Sequence, residues 1–415
     1  MFFHPTIFPL HSEQLILPKN KTMSPRPQPH PYSPLIETAE YWTSRQRQAS
    51  ALHEISYRAC FKPQLPAYFI LRHTAPGDLV YDPFAGRGTT ALEAALLGRR
   101  IASNDINPLS RILTEPRLEL PTLAAIRARL DAITPILAAT DARPITPDID
   151  LTMFYEPRTL QHLLALRAYL HERRATRTED AVDRWLRMVA TNRLTGHSPG
   201  FFSVYTLPPN QATSQKRQIE INRQRNQTPP YRDILKLIWK KTTQLHSDLT
   251  PDQIANLRAA ARDAQYLTAP AAATPQLAAN TVALTVASPP FLDTVQYADD
   301  NWLRCWFNHI DTAAVAKRIT ITRKLETWDA FIRAVFVELH RVTRPGGHVA
   351  FEVGEIRKGA IRLEETAAPA AEAAGFECKK ILINEQPFTK TSNIWGVDNN
   401  ARGTNTNRIL LLRKP

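Results

Sequence analysis

The sequence predicts an α/β protein in which one sheet with crossover helices is interrupted by a largely helical insertion. Two stretches carry the α/β signal. Over 49–118, Leu79-Val80-Tyr81 reads as a strand, Ala85-Gly86-Arg87-Gly88 as a turn, Thr89 to Leu97 as a helix and Arg100-Ile101-Ala102-Ser103 as a second strand. Short apolar runs alternating with helical spacing mark a sheet covered by helices. Over 256–415 the pattern resumes, with strands at Val282 to Val286, His348 to Val353, Cys378 to Ile383 and Arg408 to Leu412. Helices at Trp328 to Leu339 and 363–374 separate them.

Between these stretches, 119–255 shows apolar residues three and four apart over Leu123 to Leu137, Leu160 to Leu170 and Ala181 to Val189. That spacing is helical, and the segment is a candidate for target recognition. Residues 1–48, an N-terminal arm rich in proline and histidine at its start, predict poor order. A polar loop over 385–407, between the last two strands, is longer than loops in compact domains usually are, so it is expected to be functional or disordered.

Composition narrows the partner. The chain of 415 residues carries a formal net charge of +13, an excess that favours a polyanion, either nucleic acid or an anionic membrane surface. Its three cysteines, Cys60, Cys305 and Cys378, lie far apart without C-x-x-C spacing, which argues against a disulfide framework or a zinc site and fits a reducing cytoplasm. No apolar run approaches the roughly 20 residues that a membrane span needs.

The string Asp82-Pro83-Phe84-Ala85-Gly86-Arg87-Gly88-Thr89-Thr90 follows the first strand and opens a helix. Glycines there permit positive φ and close approach of a ligand, and the helix start adds unpaired N–H groups. The spacing lacks the G-x-G-x-x-G fingerprint of a pyrophosphate site, which excludes a dehydrogenase. Asp82, on the strand side, would repel a phosphate and suits the cationic amino-acid part of S-adenosylmethionine. Asp105, followed by Ile106, ends the second strand, where a carboxylate accepts ribose hydroxyls.

Asp82 to Thr90 resembles the cofactor motif D-P-F-x-G-S-G-T-T of the DNA amino-methyltransferases, with Arg87 where that family usually has serine. The resemblance implies a Rossmann-like class I methyltransferase sheet and S-adenosylmethionine as cofactor. It also implies that the element preceding the motif, with Phe61 and Lys62, lines the methionine end, and that Asp263-Ala264 contacts the adenine.

Val286-Ala287-Ser288-Pro289-Pro290-Phe291 ends a buried strand. An amino nitrogen conjugated into a base is a poor nucleophile, and a site that accepts both its hydrogens turns it tetrahedral. Prolines present a rigid carbonyl, Ser288 a second acceptor and Phe291 a flat face for a base rotated out of the helix. No covalent cysteine is needed, and none sits in the motif. The string resembles the [D/N/S]-P-P-[Y/F/W] box of the same family, in which serine first is typical of N4-cytosine members. The expected activity is therefore methylation of cytosine N4 in DNA. Adenine N6 in DNA, cytosine N4 in RNA and a catalytically dead nucleic-acid-binding protein are the alternatives.

Three segments are candidates for contact with nucleic acid. Lys216 to Lys241 interleaves cations, among them Lys216, Arg217, Arg223 and Arg225, with amides. Asn192 to Phe202, with His197, is a candidate lining of the cleft. The 385–407 loop offers Lys390 and Arg402 as a clamp.

Overall fold

The computed structural model describes residues 35–39, 41, 49–58, 60–207, 212–292, 297–319, 322–356, 361–385 and 406–415. Eight strands form one sheet: β1 (Ile36–Ala39), β2 (Leu79–Asp82), β3 (Arg100–Asn104), β4 (Gln265–Leu267), β5 (Val282–Ala287), β6 (Thr343–Val353), β9 (Glu377–Glu385) and β10 (Thr406–Arg413). Two short strands, β7 (Glu355–Ile356) and β8 (Ile361–Arg362), pair apart from it. The spatial order in the main sheet is β1-β9-β10-β6-β5-β2-β3-β4. β10 lies antiparallel to both of its neighbours, and every other pairing is parallel.

Helices connect the strands: α1 (Gln64–His73) leads into β2, α2 (Thr89–Leu96) links β2 to β3, and α3 (Leu109–Glu119) follows β3. The helical region comprises α4 (Leu123–Ala138), α5 (Pro157–Ala175), α6 (Ala181–Arg193), α7 (Gln215–Gln224), α8 (Ile234–Leu245) and α9 (Pro251–Arg262). Then come α10 (Tyr297–Asp300), α11 (Trp302–Phe307) and α12 (Thr312–Arg318) after β5, α13 (Leu325–Val342) before β6 and α14 (Glu364–Ala373) before β9.

The core lies on both faces of the sheet, which explains the continuous apolar strands. Val80, Leu284, Val286 and Ala350 point into one cluster; Leu79, Tyr81, Val349 and Phe351 point into the other. The first cluster runs on without a break into Trp185, Leu186 and Ile238 of the helical region. Those helices therefore share the core of the sheet. Sequence signals set their ends: Asp180 and Asp183 form a reciprocal capping box on α6, and Thr250 with Gln253 does the same on α9. Inside, the buried Asp183 is satisfied by Arg129 and by Arg173 at 2.8 Å.

The topology positions the site. From β2 the chain adds β3 and β4 on one side, then returns to add β5 and β6 on the other. The carboxyl ends of β2 and β5 therefore flank the point where the strand order reverses, the crevice where open α/β sheets bind ligands.

Candidate functional site

The turn after β2 is held from several directions. Gly86 has φ +51° and Gly88, the N-cap of α2, has φ +76°, a region that side chains rarely adopt. A Cβ on Gly88 would overlap the Thr114 hydroxyl on α3. Asn104 clamps the turn to the segment after β4: its Nδ2 donates to the carbonyls of Pro83 (3.2 Å) and Ala269 (3.0 Å), and its Oδ1 accepts from Ala269 N (3.0 Å). Arg87 bonds the turn to the preceding segment. Its Nη1 donates to the carbonyls of His53 (3.1 Å) and Ile55 (2.7 Å).

Two acids face this turn. Asp82 accepts from Phe84 N at 2.9 Å, and burial pushes its carboxyl up to about 7 against the pull of that N–H. Asp105 uses one oxygen for Gly86 N (2.8 Å) and the other for Asn107 N (2.9 Å); burial again raises its pKa. Asp105 thus orders the loop through both oxygens, and each oxygen keeps a lone pair for a hydroxyl donor.

One pocket gathers the two motifs. From the cofactor string it takes Asp82, Pro83, Phe84, Ala85, Gly86 and Thr89; from the next strand Asp105 and Ile106; from the upstream element Phe61; from the second box Ser288 and Pro290. The other expected residues lie outside its lining. Gly88 packs on α3, and Thr90 is buried with its hydroxyl donating to the Val286 carbonyl (3.1 Å), which ties α2 to β5. Lys62 is half-buried beside α1, and exposed Asp263 ends α9 with Ala264 packed against the core. Pro289 is buried, and Phe291 is half-buried against the second core cluster. Trp328 Nε1 donates to the Pro290 carbonyl at 2.9 Å and anchors the box to α13.

Sequence reasoning missed Tyr57, Cys60, Asn107, Ala269, Pro270, Ala271, Arg318, Ile319 and Phe331, all of which line the pocket. Asn107 had a signal two residues beyond Asp105, whereas Arg318 and Phe331 arrive only through tertiary packing. Cys60 is a cysteine near the box after all. Its thiol donates to the Tyr57 carbonyl (3.4 Å), and burial raises its pKa, so it is no thiolate at neutral pH. Glu352, on β6 beside Ser288, was also missed. Its buried carboxyl is pushed up to about 7 by desolvation, opposed by hydrogen bonds from Asn407 and Ser288.

The pocket fits S-adenosylmethionine. Asp82 is a buried acid suited to the ammonium, Asp105 an acceptor for ribose, and Ile106 with Ala269 and Pro270 an apolar wall for a flat ring. Because a bound cation favours ionised Asp82, cofactor affinity should rise with pH toward 7 and level off above it. Asp82→Asn should flatten that dependence. Calorimetry on both sides of pH 7 checks this; a wild-type affinity that falls with rising pH contradicts it.

The candidate nucleic-acid segments fall elsewhere. Lys216, Arg217, Arg223 and Arg225 are exposed on or just after α7; Arg217 pairs with Glu220 (2.9 Å) and Arg225 lies over the Tyr205 ring (3.9 Å). Lys241 is buried, and its pKa is pushed down to about 8, chiefly by desolvation. Asn192 to Phe202 does not line the pocket; Asn192 instead donates to the Ser56 carbonyl (3.3 Å), next to Tyr57. Lys390 and Arg402 lie outside the described residues.

The chain is similar to known proteins over parts of its length. Residues 13–112 match the model of an N6/N4 family described as DNA methylase. A type II methyltransferase, M.MjaII of Methanocaldococcus jannaschii, is 35% identical over 77 residues, 18% of this chain. The aligned part spans only 14% of that relative's length. Among solved structures, a protein of Thermus thermophilus described as a DNA modification methylase, complexed with S-adenosyl-L-methionine, is 22% identical. That alignment covers 33% of this chain and 49% of the other, at a TM-score of 0.19. An rRNA methyltransferase of Streptomyces viridochromogenes is 10% identical, covering 89% and 91% of the two chains at a TM-score of 0.34. Among the described residues no helix is long and apolar enough to cross a membrane.

Proposed function

We propose that this chain, a relative of the DNA amino-methyltransferases through residues 13–112, methylates an exocyclic amino group of a DNA base, and that the base is cytosine at N4. The observation that carries the reading is the meeting of Asp82 and Ser288, from separate motifs, on one pocket at the switch point of the sheet. S-adenosylmethionine, when bound, supplies an electrophilic methyl group on a sulfonium. The residues of the chain do the rest.

Glu352, hydrogen-bonded to Ser288, takes the hydroxyl proton in its hydrogen bond and leaves the Ser288 oxygen lone pairs facing the pocket. That oxygen would accept one amino hydrogen and the backbone carbonyl of Pro289, a residue buried in the free chain, the other, so the nitrogen lone pair would leave the ring π-system. Asp82 and Asp105 would hold the cofactor while that nitrogen takes up its methyl group with loss of the sulfonium bond, which leaves the nitrogen cationic. It then loses one proton, which passes by way of Ser288 to the Glu352 carboxylate. A carboxyl near 7 is matched to that task at neutral pH. Positioning supplies much of the rate. Cytosine is favoured because serine heads the box.

Transfer of labelled methyl groups to matched duplex DNA and RNA tests the reading. Label in DNA is expected. Label in RNA alone would move the activity to the other polymer, and label in neither would leave a binding protein.

A further inference from the structure

The mouth of the pocket opens into a charged furrow. Arg318, at the end of α12, belongs both to the pocket wall and to a neighbouring furrow lined by His171 and Arg174 of α5 and by His309 and Asp311 between α11 and α12. Pro108 and Arg174 continue the furrow to a third depression against α3 and α6. In that far depression the three arginines other than Arg174 are neutralised: Arg111 by Glu115 (2.8 Å), Arg184 by Glu119 (2.7 Å) and Arg187 by Glu179 (2.6 Å).

The near furrow differs. Arg174 and Arg318 are exposed, and among the described residues neither has a carboxylate within ion-pair distance. Arg318 only donates to the Thr268 carbonyl at 3.3 Å. The carboxylate of this lining, Asp311, is engaged as the N-cap of α12, accepting from Ala314 N at 3.0 Å. The exposed rings of His171 and His309 stack at 3.9 Å, and His309 holds φ +56°, a conformation disfavoured for a side chain. Such positions cluster where a binding surface requires them.

A base turned into the pocket stays bonded to its two neighbours, so the strand must leave through the pocket mouth. Arg318 stands at that exit, and Arg174 is the next unpaired cation along the furrow. We infer that this furrow carries the phosphodiester backbone flanking the target base, with Arg318 and Arg174 each neutralising a phosphate. The exposed cations of α7 lie outside the pocket and furrow linings. The inference rests on the methyltransferase reading above and extends it to a surface that the two motifs do not reach.

Anisotropy titrations of the full chain with fluorescent duplex DNA over a range of salt concentrations test it. Each lost phosphate contact lowers the slope of log affinity against log salt by about 0.9. Arg174→Ala should lose about 0.9 and Arg174→Ala with Arg318→Ala about 1.8. Arg174→Ala should leave S-adenosylmethionine binding and Tm unchanged, because its side chain is exposed. A slope unmoved in both Arg174→Ala and Arg174→Glu would overturn the furrow, as would a loss confined to Lys216→Ala with Arg217→Ala. Wild-type protein that methylates DNA while Arg174 variants keep the full slope refutes the furrow alone. Wild-type protein that neither binds nor methylates DNA refutes the furrow and the function together.

Discussion

Gly88→Ala should abolish S-adenosylmethionine binding and lower Tm. Two penalties add at this position. The left-handed φ of +76° costs a non-glycine residue about 1–2 kcal/mol. The new Cβ also overlaps the Thr114 hydroxyl, and Thr114 is pinned by its own bond to the Ser110 carbonyl (2.8 Å), so overpacking adds about 1–3 kcal/mol. Gly77→Ala separates the two terms, because Gly77 has φ +84° with nothing within 4 Å of where a Cβ would stand. Thermal melts of the two variants should therefore differ by the overlap term, and calorimetry should show cofactor binding kept in Gly77→Ala alone. Equal melting temperatures would mean that α2 and α3 separate easily and that the turn is not held by their packing.

The second large effect concerns the acceptor pair. Ser288→Ala should keep cofactor affinity and cut kcat about a hundredfold, the cost of roughly 3 kcal/mol for one preorganised transition-state contact. Glu352→Gln preserves a hydrogen-bonding shape toward Asn407 and Ser288 but accepts no proton. At saturating cofactor, where bound ammonium keeps Asp82 ionised, the remaining titration near 7 belongs to Glu352. Wild-type kcat should thus rise with pH through about 7 and level off, since the ionised form is the acceptor. Glu352→Gln should be slow and lack that limb. A variant with normal kcat and an unchanged profile would remove Glu352 from the proton path.

Much of this was legible in the chain because the signals are local. β2 and β5 are mostly apolar and buried along their whole length, β3 is buried after Arg100, and the ends of all three lie within a residue or two of expectation. The turn from Asp82 to Thr90 needs glycine at two left-handed positions, which the sequence displays. Other features depend on long-range packing. β4 is three residues at the sheet edge, too short to show a period of two. Glu352 meets Ser288 because β5 and β6 pair, and an isolated glutamate in an apolar strand does not announce its partner. Arg318 reaches the pocket through a helix of seven residues that periodicity did not reveal. Phe291 read as a flat surface for a base; the structure packs it against the second core cluster, while Tyr57 lies against Gly86, 3.3 Å from where a Cβ would stand. The helical insertion shares its core with the sheet, because α6 and α9 bury their apolar faces on α2 and α3, and no periodicity announces that contact.

The proposed reaction is direct transfer of a methyl group to an exocyclic amine without a covalent enzyme intermediate. Mass spectrometry of nucleosides, released from duplex DNA after incubation with the protein and S-adenosylmethionine, tests it most directly. It should be run for wild type and for Cys60→Ala, since Cys60 is among the residues that line the pocket. N4-methylcytosine is expected from both proteins. N6-methyladenine would change the base and spare the mechanism. 5-Methylcytosine that disappears in Cys60→Ala while the fold is retained would rule out direct transfer.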